Sequence, residues 1–98
     1  MTQWTITKDN LAEPGAEPAA SNSNAVGLIG PKRATLTAEQ IVAHPDAKQF
    51  RLLDDDGAVY YEGYVVGEDE FAPLDDFGEP NAGCSCIQIL ESGEWKQL

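Results

Sequence analysis

The sequence predicts an α+β fold: a small antiparallel sheet of about four or five strands, with one short helix packed on one face. Three observations predict it. Short runs rich in β-branched and aromatic residues recur at Gln3–Thr7, Phe50–Leu53, Val59–Val66, Cys86–Leu90 and Trp95–Leu98. Two pairs of these runs are joined by turn chemistry, Asp54-Asp55-Asp56-Gly57-Ala58 and Ser92-Gly93. One helix start stands ahead of both pairs, at Thr37 with Gln40 three residues on. A chain of 98 residues suits one domain with one core.

The elements follow in order. Gln3 to Thr7 alternates, which puts Trp4 and Ile6 on one face of a first strand. Residues 12–34 read as a long loop or flexible segment, because Pro, Gly, Ala, Ser and Asn dominate from Ala12 to Asn24. The apolar stretch from Val26 to Pro31 is expected to dock on the body. Thr37 and Gln40 form a capping box, Leu36 and Ile41 the staple, and Pro45 stops the helix near His44. A short turn is expected over Asp46 to Gln49.

The first hairpin then runs from Phe50 to Val66. Its second strand places Val59, Tyr61 and Val65 on one face, and Tyr60, Glu62, Tyr64 and Val66 on the other. An acidic connector from Gly67 to Gly83 leads to the second hairpin. One helix covers only one sheet face. The other is therefore covered by Val26, Leu28 and Ile29, or left partly open.

Charge is the strongest functional signal. The net charge is −11, and no Lys or Arg occurs between Arg51 and Lys96, a gap holding twelve carboxylates. Such a field repels nucleic acid and anionic membrane and attracts basic proteins and cations. Direct binding of DNA or RNA, which needs Lys and Arg against phosphates, is excluded on this ground. No apolar run approaches the ~20 residues that span a bilayer, and no secretory leader is present at Met1–Leu11, so a cytoplasmic location is expected.

Few residues suggest chemistry. With Gly57 as position 6 of an EF-hand loop, positions 1 and 12 fall on Leu52 and Gly63, which cannot ligate calcium; Asp54 to Gly57 reads as a hairpin turn. Cys84 and Cys86 share a face if the strand begins that early. Two thiolates with one histidine, His44, fall short of a structural zinc set, and the plain reading is two small half-buried residues. His44, at a helix end, reads as a cap. No phosphate loop, nucleophile elbow or paired metal histidines occur.

The expected function is therefore a non-enzymatic protein–protein interaction module, without a cofactor. Its acidic surface would engage a basic partner, in the sharper form as a nucleic-acid mimic that inhibits a DNA- or RNA-binding protein. The expected contact residues are Asp54, Asp55, Asp56, Tyr60, Glu62, Tyr64, Glu68, Asp69, Glu70, Asp75 and Asp76. A monomer or weak homodimer fits the exposed hairpin edges. The alternatives are a domain that binds calcium or zinc through the connector, and an accessory domain whose charge serves only solubility.

Overall fold

Alternating apolar residues and tight turns build the sheet. The computed structural model describes residues 1–12 and 24–98. The strands are β1 (Gln3–Asp9), β2 (Ile29–Gly30), β3 (Lys48–Leu53), β4 (Val59–Val66), β5 (Cys86–Glu91) and β6 (Glu94–Gln97). They form one open antiparallel sheet in the order β2-β1-β4-β3-β5-β6. The fold is thus α+β, with the short helix α1 (Ala38–Ala43). The sixth strand is β2, a two-residue pairing of Ile29 and Gly30 with Thr5 and Trp4. The loop expected over residues 12–34 falls partly on 13–23, which lie outside the described residues.

The register explains the core. Trp4 faces Val65, Phe50 faces Gly63 and Ile89, and Leu52 faces Tyr61 and Ile87. Cross-strand partners share a face, so these side chains make one apolar layer. Phe50, Leu52 and Ile89 are fully buried in it. The connector covers this layer, and Ala72, Leu74, Phe77 and Cys84 join the same core cluster. It winds into a π-helical turn at Leu74–Gly78 and one α-helical turn, α2 (Glu79–Ala82). Its apolar residues Leu74 and Phe77 are three apart, so a helical turn puts them on one side, facing the sheet.

Helix α1 packs on the opposite face, against β1 and β4. Its buried residue is Ile41. Of the stretch expected to cover a face, Leu28 and Ile29 are exposed and Val26 is half-buried. They lie along the outer edge of β1 instead, where the Ile6 N–H donates to the Leu28 carbonyl. The buried Gln3 ties the segment before α1 to the sheet: its Oε1 accepts from Thr35 N–H at 2.8 Å and Leu36 N–H at 2.9 Å. That pairing lets a polar side chain sit inside without an unmet hydrogen-bonding group.

The capping box forms as read. The Thr37 hydroxyl accepts from Gln40 N–H at 3.1 Å, and the Gln40 amide oxygen accepts from Thr37 N–H at 2.8 Å. Replacing Thr37 by alanine is expected to cost about 1 kcal/mol, readable as a lower urea midpoint at unchanged slope. His44 is the C-cap, its N–H donating to the Ile41 carbonyl and its Nδ1 accepting from Asp46 N–H at 3.0 Å. Among the described residues, no helix is long and apolar enough to cross a membrane.

Candidate functional site

The acidic connector starts where β4 ends and returns along the core face to the other end of that strand. Three contacts fix its path. Asp69 N–H donates to the Thr2 hydroxyl at 2.9 Å, the Trp4 indole N–H donates to Asp76 Oδ2 at 3.0 Å, and Ser85 N–H donates to the Leu53 carbonyl at 3.0 Å. Phe77 anchors the middle, 5.6 Å from the Trp4 ring and 4.8 Å from the Tyr61 ring between centroids. The apolar side chains are buried while the carboxylates beside them face water: Leu74 and Phe77 are buried, Asp75 and Asp76 exposed. The acidic run is therefore the outer side of a lid.

The carboxylates expected to meet a partner divide into two sets. Asp54, Glu62, Asp69, Glu70 and Asp76 are engaged within the chain. Asp54 Oδ1 accepts from the N–H groups of Asp56 (2.9 Å) and Ala58 (2.8 Å), which shapes the β3–β4 turn. Gly57 completes that turn at φ +85°. Glu62 pairs with Lys8 at 3.7 Å and Glu70 with Lys48 at 2.9 Å. Asp69 Oδ1 accepts from Phe71 N–H. Asp55, Asp56, Glu68 and Asp75 form the second set: all four are exposed, and none has an ion pair among the described residues.

The two tyrosines also separate. Strict alternation puts Tyr60 and Tyr64 on one face, but the β3–β4 register shifts between Leu52 and Leu53. The bulge leaves Tyr60 packed against the core cluster. The Asp54 carboxylate near its hydroxyl raises the Tyr60 pKa, and the hydroxyl helps hold that of Asp54 below its ordinary value. Tyr64 stays opposite Thr5 and Gln49, half-buried on the helix-bearing face. Beyond α1, no other element covers that face among the described residues. There the Arg51 guanidinium lies 4.3 Å from the Trp95 ring centroid and its Nε donates to Gln88 Oε1. This cation–π pair went unread in the sequence, because Arg51 and Trp95 belong to different hairpins and meet only through the β3–β5 pairing.

The turn chemistry carries a pH consequence. The backbone N–H of Ala58, and secondarily the Tyr60 hydroxyl, lower the Asp54 pKa from 3.8. A depressed carboxylate contributes stability that is present above 3.8 and fades as pH falls through its folded value. Asp54→Asn keeps an acceptor oxygen and removes the charge. The wild-type advantage in melting temperature over Asp54→Asn is expected at pH 7 and should vanish in strong acid; an advantage unchanged with pH would show that the charge has no role in the turn.

The cysteines do not converge. β5 begins at Cys86, so Cys84 lies before the strand, in the core. Burial pushes its thiol up to about 11, which keeps it protonated and a poor ligand at neutral pH. Cys86 is half-buried, and both are free thiols. Among the described residues, no group of three or more His, Cys, Asp or Glu is gathered to hold a metal. Compared with protein-family models, curated proteins and solved structures, the chain matches none.

Proposed function

We propose that the protein is a non-enzymatic interaction module whose connector and β3–β4 turn dock on a basic surface of a partner protein. The observation that carries this reading is the set of exposed, unpaired carboxylates Asp55, Asp56, Glu68 and Asp75 on fixed elements, among the described residues. Much of the chain's small cationic complement is engaged by the chain's own side chains at the surface. Lys8, Lys48 and Lys96 pair with carboxylates, and Arg51 stacks on Trp95. The outward field is thus left negative.

The sharper form is nucleic-acid mimicry. The connector runs along the eight residues of β4, a path of about 27 Å at roughly 3.4 Å per residue. Glu68, Asp69, Glu70, Asp75, Asp76 and Glu79 lie on it. That is one carboxylate per about 4 to 5 Å of path, near the roughly 3.4 Å of helix axis per charge on one strand of DNA and wider than the duplex value. Such a row suits the groove in which a DNA- or RNA-binding protein holds one backbone, and its occupation would inhibit that protein.

The test is retention of partners from native-source lysate by the immobilised protein, with elution by salt and displacement by duplex or single-stranded DNA. A DNA- or RNA-binding protein that is released steeply with salt and displaced by nucleic acid is the expected result. The variant Asp55→Asn, Asp56→Asn, Glu68→Gln, Asp75→Asn should keep its melting behaviour and lose that retention. Salt-independent retention without displacement would sink mimicry, and full retention by the variant would sink acidic docking altogether.

A further inference from the structure

We infer that the β6 edge pairs with the β6 edge of a second copy, joining two sheets about a two-fold axis at Trp95. β6 ends the sheet, with β5 on one side and, among the described residues, no strand on the other. The Leu98 N–H donates to the Ile87 carbonyl at 3.1 Å. In an antiparallel ladder the hydrogen-bonded pairs alternate, so Ile89 with Lys96 and Glu91 with Glu94 are also bonded pairs. Trp95 and Gln97, between them, therefore turn their N–H and C=O groups away from β5. These are the groups a further strand would take up.

The charges choose the strand. A symmetric antiparallel pairing can be centred on Glu94, Trp95, Lys96 or Gln97, the last of which sets no opposite charges against each other. The first sets Glu94 against Glu94 of the other copy, and the third sets Lys96 against Lys96; like charges directly opposite destabilise. The Trp95 centre sets each Glu94 against Lys96 of the other copy, on the same face, twice. It also makes Trp95 a bonded pair with its own copy, which takes up its outward backbone groups. Glu94 has no ion pair among the described residues, and Lys96 has only Glu91 at 3.4 Å. The two Trp95 rings then sit side by side on the open face, each flanked by Arg51.

A short edge strand carrying Lys normally repels other strands. Here that lysine is matched by the chain's own glutamate, so the block holds against other sequences and is lifted for a second copy. Two copies at −11 each also repel, which keeps the pairing weak and best seen at 0.15 M salt, where the screening length is about 8 Å.

Sedimentation equilibrium of the full chain, up to millimolar concentration, tests this. Mass rising with concentration to that of a dimer is expected. Glu94→Lys should raise the dissociation constant about tenfold, since two attractive pairs become repulsive. It does so although the variant is less negative overall, which would otherwise favour association. The double variant Glu94→Lys, Lys96→Glu restores opposite charges across the axis and should recover the wild-type constant. A monomer throughout would overturn the inference and leave the edge to a strand from another protein. A dimer indifferent to Glu94→Lys would overturn it by placing the contact elsewhere.

Discussion

Phe77→Ala is expected to lower the unfolding free energy by about 3–5 kcal/mol, the usual cost of emptying a buried phenylalanine site. For a domain of this size the total stability is roughly 5–15 kcal/mol, so one substitution removes a large share of it. The reason is position. Phe77 is 7% exposed and packs on both Trp4 and Tyr61, so it joins the connector to the sheet. Thermal unfolding should begin more than about 12 °C lower, at roughly 4–8 °C per kcal/mol. Tyr61 supplies a second readout. Burial pushes its hydroxyl up to about 12, and removal of the covering ring should bring its titration down toward 10. A loss under about 1 kcal/mol, with Tyr61 unmoved, would show that the connector does not close the core. Phe77→Leu, which keeps most of the volume, should cost clearly less.

Gly63→Ala is the second large effect, expected at about 3 kcal/mol or more from overpacking. A Cβ built at Gly63 lies 2.8 Å from the Phe50 ring. It also overlaps the Thr5 carbonyl of β1, at a position that backbone shift alone can relieve. Phe50 is fully buried and crosses the face of β4 where Gly63 leaves room for it. Both β1 and β3 would have to move. Gly57→Ala serves as the control, because nothing stands near its Cβ and only its φ of +85° opposes the change. That strain costs about 1–2 kcal/mol. If Gly57→Ala is the more damaging of the two in urea unfolding, the close packing at Gly63 is not what holds β1 to β4.

The two sites differ in how legible they were. Gly57 follows three aspartates between two apolar runs, a local turn signal that needs no partner to be read. Gly63 stands inside a strand pattern, where the sequence shows only a missing side chain. The reason for it is Phe50, thirteen positions away, brought opposite by the hairpin register. The connector divides in the same way. Its charge was plain, and its division of labour was not. Asp76 holds the Trp4 indole from seventy-two positions away, and Glu70 holds Lys48, while Asp75 beside Asp76 faces water without an ion pair among the described residues. Neighbouring carboxylates are indistinguishable until a helical turn sends successive residues in different directions. Tyr60 left its expected face for the same class of reason, since a bulge shifts the alternation that strand reading assumes.

The sequence by itself determined the local events: the capping box at Thr37, the two hairpin turns, the alternation of β5 and of β4 from Tyr61 onward, and the unbroken negative charge from Leu52 to Trp95. Each rests on interactions within a few residues, or on composition alone. Only the tertiary structure decided which element closes the core, which carboxylates remain exposed without an ion pair, and how the β6 edge presents its unpaired groups. Those outcomes depend on contacts between residues far apart in sequence, and the sheet register and the path of the connector set them together.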